Sequence, residues 1–262
     1  MQNRRRQIKR SRRTWCEKDF WMQSFSCPFA ELSGQQLLLI VIAVLMATLT
    51  RGFSQAQSTP LDNLDEMQPR NVKAECVTYK GRKALAVSDA APGHVADGIQ
   101  LVILNGTEFQ EGVIEIDLAG EPGANAGGGA RGFVGVAFHL SFDAAKDAPK
   151  YECFYLRPTN GRADDQVRRN HSTQYISYPE FPWQRLRKEF PEKYESYADL
   201  VAGEWTKVKI EVRDGKARLY VHDAPQPVLI VNDLKQKERK GQIALWVGAG
   251  TMAHFANLRI SQ

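Results

Sequence analysis

Glu115, Asp117 and Glu121, in the stretch EIDLAGE, are carboxylates spaced along what reads as one β-strand. Two carboxyl groups about 5–5.5 Å apart, one a nucleophile and one an acid/base, are what a retaining glycosidase needs. With His139 as a further proton carrier, Glu115 and Asp117 are the candidate catalytic residues. Gly120, Pro122 and Gly123 argue against Glu121 joining them, because they predict that the strand has already ended there. A second group starts with YLRPTNGRADDQVRRNHSTQYISYP (Tyr155 to Pro179) and continues to Trp183. Recognition of a sugar needs aromatic faces for its apolar side and planar, multidentate donors and acceptors for its hydroxyls. Tyr155, Arg157, Asn160, Arg168, Asn170, Gln174, Tyr175 and Trp183 offer both and are the candidate ligand-binding residues. Plainer readings compete. Trp183, Leu186 and Phe190 recur at helical spacing, as packing anchors do. Arg162, Arg168 and Arg169 lie near Asp164 and Asp165, as in solvated ion pairs. With no CxxC, no HExxH and five scattered histidines, no metal site or cofactor is signalled.

The elements that must position these groups are short and alternating. GVIEIDL (Gly112 to Leu118) sets Ile114, Ile116 and Leu118 on one face and Glu115 and Asp117 on the other. GFVGVAFHL (Gly132 to Leu140) opposes Val134, Val136, Phe138 and Leu140 to His139. YECFYLR (Tyr151 to Arg157) opposes Phe154 and Leu156 to Tyr151, Tyr155 and Arg157. Period-two alternation predicts half-buried strands. WTKVKIEVRDGKARLYVHD holds two more, joined at Asp214-Gly215, which accept the positive φ of a tight hairpin turn. QIALWVG and AHFANLRI supply another pair, and helical pattern is confined mainly to PWQRLRKEF (Pro182 to Phe190). Such a chain predicts an all-β, antiparallel β-sandwich. Regular strand is predicted to stop at Arg157 and to return only at Trp205. The intervening excursion is rich in aromatic residues and is predicted to be ordered, folded over one edge of a sheet.

The formal charge of +5 suggests nucleic acid or an anionic membrane, but its distribution does not. Residues 1–56 hold 9 Lys/Arg and 3 Asp/Glu, leaving 26 basic and 27 acidic residues in the rest. The basicity therefore belongs to the leader. There NRRRQIKRSRR precedes the apolar run LLLIVIAVLMATLT (Leu37 to Thr50), short for a membrane span but suited to a secretory signal. Ser54 and Ala56 provide the small residues of a cleavage site, so the cut is placed after Ala56, with an uncleaved anchor as the alternative; either route puts the body outside the cytoplasm. Residues 57–71 read as a linker and 72–262 as one domain. Of four cysteines, Cys16 and Cys27 lie in the leader. Cys76 and Cys153 are compatible with a disulfide in an oxidising compartment or with two buried thiols. NGT at Asn105 and NHS at Asn170 are glycan acceptors only in a eukaryotic secretory route.

The order of these segments, with GEWTKVKI (Gly203 to Ile210) as G-x-W-x-x-V-x-I and Gly241 to Ile260 as G-x-I-x-L-W…F-x-N-L-x-I, resembles the concanavalin A-like lectin/glucanase jelly roll. Within it the chain is similar to the laminin-G-like and 3-keto-disaccharide hydrolase domains of secreted bacterial proteins. The resemblance implies a groove on the concave face of one sheet, where a glycan lies. It also implies a test of EIDLAGE: laminarinase-like members carry E-x-D-x-x-E, and Glu115, Asp117 and Glu121 are one residue too widely spaced. The leading expectation is a carbohydrate-binding domain for an oligosaccharide or polysaccharide. The alternatives are a 3-keto-disaccharide hydrolase-like glycoside hydrolase and a structural adhesion domain.

Overall fold

The computed structural model describes residues 57–89, 99–144, 148–237 and 240–262. The expected leader, residues 1–56 with its apolar run and cleavage site, lies outside the described residues. Two antiparallel sheets make up the fold. The first, called the β6 sheet, runs β13 (Leu229–Val231), β12 (Lys216–Val221), β11 (Thr206–Arg213), β6 (Gly112–Pro122), β15 (Thr251–Ser261), β4 (Arg82–Asp89) and β3 (Val72–Tyr79), with β1 (Gln57–Ser58) paired to β15. The second, the β8 sheet, runs β10 (Glu195–Ser196), β9 (Thr173–Tyr178), β8 (Ala148–Leu156), β7 (Val134–Asp143), β14 (Gln242–Val247), β5 (Leu101–Leu104) and β2 (Met67–Arg70).

Alternation decides which faces meet. Ile114, Ile116 and Leu118 of β6 align with Ile210, Val208 and Thr206 of β11, and Ile210, Val208 and Val212 align in turn with Leu219, Val221 and Ala217 of β12. On the other sheet Val134, Val136 and Phe138 of β7 align with Leu156, Phe154 and Glu152 of β8. The apolar members of both sets are buried in one core. Each fully buried Val, Leu, Ile or Phe contributes roughly 1.5–3 kcal/mol. The sheets touch closely at Gly120 and Gly132, where a Cβ on Gly120 would strike Val134 and the Gly132 carbonyl. Asp214 and Gly215 form the predicted hairpin turn between β11 and β12, with φ of 50° and 69°.

Several expectations change. Met67–Arg70, in the expected linker, pairs with β5, and the chain then crosses to the other sheet through Asn71 at φ 56°. β6 continues to Pro122, past the residues expected to end it. The excursion is not strandless: Thr173–Tyr178 forms β9 along β8, and Glu195 pairs with Gln174. Its pattern hid it, since β9 is covered on both faces and its Gln174 and Ser177 are buried. Helical turns span Pro158–Gly161 and Gln166–Asn170, and the expected helix is Trp183–Glu189. Cys76 and Cys153 are both free; Cys153 is buried as expected, but Cys76 is exposed on β3, at the sheet edge.

Candidate functional site

Tyr155, Ile176, Tyr178 and Trp246 stand on the face of the β8 sheet turned away from the core, with the parity opposite to Phe154 and Val136. They help to line a cavity of about 720 Å³. One position makes the floor continuous. Tyr155 and Trp246 belong to strands on either side of β7, and both align with Gly135. A Cβ there would collide with Tyr155 and the Phe154 carbonyl. With no side chain between them the two rings meet over the glycine, centroids 4.6 Å apart. Phe133 adds an edge contact to Tyr155 at 6.2 Å.

The excursion builds the charged wall. Arg157 follows β8 directly and is buried; its guanidinium donates to Tyr155 Oη (2.9 Å), Gln174 Oε1 (3.1 Å) and the His171 carbonyl (3.0 Å). It also lies 4.9 Å from the Tyr155 ring centroid and 5.9 Å from that of Trp183, within cation–π range. Asn160 donates to the same His171 carbonyl at 3.3 Å and accepts a long bond from Arg168 at 3.5 Å. Behind the wall, Glu195 takes a bidentate pair from Arg187 at 2.9 and 2.7 Å. His171 Nδ1 is 2.8 Å from a Glu195 oxygen but out of line for a hydrogen bond. Burial, helped by Arg187 and Arg157 and opposed by Glu195, lowers the His171 pKa below its ordinary value. Burial, then repulsion by Arg168 and Arg157, likewise lowers that of Arg131.

Five of the eight expected ligand-binding residues line this cavity: Tyr155, Arg157, Asn160, Arg168 and Trp183. Trp183 is half-buried and, besides lining the cavity, packs against the core with Phe190, its helix being anchored there by the fully buried Leu186, as the helical spacing led one to expect. Gln174 lies beneath, buried, holding Arg157 and the carbonyls of Tyr175 and Tyr194. Tyr175 points to the core side, where its hydroxyl donates to Glu152 and accepts from the Lys235 amide. Burial, then Glu152, drives its pKa well up. Asn170 is exposed and accepts from Gln166. The ion pairs expected around Arg162 differ as well: Arg162 pairs with Asp199, while Asp165 caps the Gln166–Asn170 turn. Not expected from the sequence were Arg131, His171, Tyr178, Arg187, Trp246 and the Gly123–Ala130 loop. The period-two pattern puts Trp246 opposite Leu245, a readable signal; the others depend on how loops pack.

The candidate catalytic residues do not join this cavity. Glu115 and Asp117 are on the outer face of the β6 sheet, in a groove with Trp205, Lys207, Asn257 and Arg259. Asp117 is held there by Arg82 at 2.7 Å and Asn257 at 2.6 Å. Glu121, six residues along the same strand, is about 20 Å from Glu115 at ~3.3 Å per residue, far beyond a catalytic pair. His139, expected on the outer face, is buried. A bulge between Phe138 and Ser141 puts it at φ 54° and reverses its parity. Its Nδ1 meets Glu152 at 2.9 Å and its Nε2 the Gln110 carbonyl at 2.8 Å, so neither nitrogen is left for a substrate.

The architecture has clear relatives among solved structures. One is the carbohydrate binding module CBM66 from Bacillus subtilis, 14% identical over 75% of this chain and 96% of that one, with a TM-score of 0.50. Another is a Bacillus subtilis protein of unknown function with a galectin-like fold, 12% identical over 79% and 94%, TM-score 0.52. The likeness is one of fold. It shows the arrangement of two packed antiparallel sheets and nothing of the ligand. A Bacillus licheniformis β-glucanase is also similar, at 11% identity over 80% and 99%, with a TM-score of 0.45. No protein-family model and no curated protein matches the chain. The sandwich thus positions the cavity without stating its ligand.

Proposed function

We propose that this protein is a carbohydrate-binding β-sandwich that holds an oligosaccharide in the cavity on the outer face of its β8 sheet. The observation that carries this reading is the cavity's composition: an aromatic floor of Tyr155, Trp246 and Tyr178 beside a wall of arginines and Asn160. Aromatic faces suit the C–H side of a sugar ring, and fixed planar donors suit its hydroxyls. The fold shared with a carbohydrate binding module supports the same direction. Binding rather than hydrolysis is favoured because Asp89 is the only carboxylate lining the cavity among the described residues, and glycoside hydrolysis ordinarily uses two. The apolar run Leu37 to Thr50 supports an extracytoplasmic site of action.

One observation favours a second reading. Asp89 accepts the Gly250 amide on one oxygen, while its other oxygen is buried without a hydrogen-bond partner. In a glycoside hydrolase, including one of the 3-keto-disaccharide type that the sequence resembles, such a carboxylate would be the acid/base. The test is to incubate the full chain with a panel of oligosaccharides, 3-keto-disaccharides among them, following retention and product mass together. Retention without new products, weakened by Arg157→Ala, is expected. Product that disappears in Asp89→Asn would replace the binding reading with the hydrolase, and no retention of any sugar would sink both.

A further inference from the structure

We infer that the ligand of this cavity is an acidic glycan, an oligosaccharide bearing carboxylate or sulfate groups, and that Arg131, Arg157 and Arg168 read its charge. This rests on the sugar-binding reading above and adds the chemical class of the sugar. Arg131, Arg157, Arg168 and Arg187 all line the cavity, against the single carboxylate of Asp89. Behind them Glu195 is already engaged, 2.7 Å from Arg187, 2.8 Å from His171 and 3.9 Å from Arg157. Even with Glu195 counted, four guanidinium charges face two carboxylates.

Arg131 and Arg168 carry the excess. Neither guanidinium makes an ion pair with a carboxylate within 4.0 Å among the described residues, Asp165 being bonded to the Arg168 backbone amide instead. Arg131 spends its Nη1 on the carbonyls of Gly128 and Ala130, which fix its direction without cancelling its charge. Arg168 makes only the long bond to Asn160, also uncharged. The pKa of Arg131 is lowered chiefly by burial, and Arg168 and Arg157 push it in the same direction. Composition does not force this, because residues 57–262 hold 27 acidic against 26 basic side chains. Like charges gathered in a low-dielectric cleft focus the field and draw in the opposite charge. The guanidinium fork matches carboxylate and sulfate oxygens in bidentate geometry, and an aromatic floor beside it accepts the ring that carries them.

The test titrates the full chain with a galacturonate trimer, with its carboxyl-reduced galactose counterpart and with a sulfated chondroitin disaccharide, at low and high salt. At least one acidic probe is expected to bind about tenfold or more tighter than the neutral one, with added salt narrowing the gap. The two acidic arms decide between carboxylate and sulfate. Arg131→Gln and Arg168→Gln are each expected to weaken the acidic probe by about tenfold and to leave the neutral one within about twofold. Arg168 is exposed, so Arg168→Glu provides a second variant if Arg131→Gln loses its fold. Lys216→Gln, in the exposed hairpin of the other sheet, should change nothing. Neutral and acidic probes bound equally, or acidic binding that Lys216→Gln weakens as much as Arg168→Gln, would overturn the inference while leaving sugar binding in place. Binding of none of the three by the unaltered chain, together with no retention across the oligosaccharide panel, would overturn both.

Discussion

The two outer faces of this sandwich are made from similar residues and arranged in opposite ways. Around the outer face of the β6 sheet, several cations lie against carboxylates of their own: Arg82 with Asp117, Lys207 with Asp223, Lys209 with Glu211 and Lys80 with Glu204. Most of these side chains are well exposed. On the β8 sheet the arginines are gathered on one wall over an aromatic floor, and the carboxylate that serves them is withdrawn behind it. Paired surface charges satisfy one another and ask nothing of a ligand. A wall left in excess is incomplete until something binds. Charged residues near strands are therefore weak evidence of a site; their pairing is what separates the two faces.

The contrast is tested hardest at Glu195. Its side chain is 3% exposed and lies among Arg187, His171 and Arg157. Glu195→Ala leaves the buried Arg157 and the half-buried Arg187 without their carboxylate, and removing one partner of such a buried cluster costs about 3–5 kcal/mol. Denaturant unfolding should show a loss of that size, with Glu195→Gln losing less. A loss below about 1 kcal/mol would mean that the wall is no more organised than the surface pairs of the other face.

Next in size is the aromatic contrast. Trp183 lines the cavity beside Arg157 and Arg187, whereas Trp205 lines the groove of the β6 sheet beside Arg82. Trp183→Ala is expected to weaken glycan binding by about 2 kcal/mol, roughly thirtyfold, as loss of an interface anchor does. Trp205→Ala should leave affinity unchanged. Calorimetric titration of both variants with one bound sugar decides between them, and equal losses would erase the distinction between the faces.

How much of this was legible follows from what alternation can carry. The strands from Gly112 onward were readable because one face is apolar and the other polar, and the same parity put Tyr155 and Arg157 on the outer face. It failed where both faces are covered, as in β9, and where one extra residue turns the chain, as at His139. The arginines at 157 and 168 could be named, but Arg131 and His171 reach the cavity from separate loops and Arg187 from the Trp183–Glu189 helix. Nothing in the alternation singles out Gly135, whose purpose appears once Tyr155 and Trp246 meet across it.

A smaller effect separates the faces by pH. Burial lowers the pKa of His171 at the cavity wall, and that of His254, stacked on Tyr79 on the β6 sheet, from the ordinary value of 6.5. Each imidazole takes up a proton more readily in the unfolded chain, so each contributes stability above about pH 6.5 that is lost as pH falls toward its folded value. Unfolding midpoints measured between about pH 7.5 and 5.5 should drop, and His171→Gln and His254→Gln should each flatten part of the drop. A bound acidic sugar favours protonated His171 and should shrink only its share. If the ligand protects both histidines alike, it does not sit beside His171.

The smallest effect is expected at Asp117, and its smallness is informative. Its side chain is 13% exposed and held by Arg82, itself 44% exposed, and by Asn257. Asp117→Ala breaks a pair of the kind that contributes about 0–1 kcal/mol. Arg82 can turn to water, so stability should change by no more than about 1 kcal/mol and glycan affinity not at all. Calorimetry and unfolding on the one variant measure both. A large loss of binding or of product would move the site to the β6 sheet and make the matched charges there a preorganised catalytic groove. The excess charge of the arginine wall would then need another explanation.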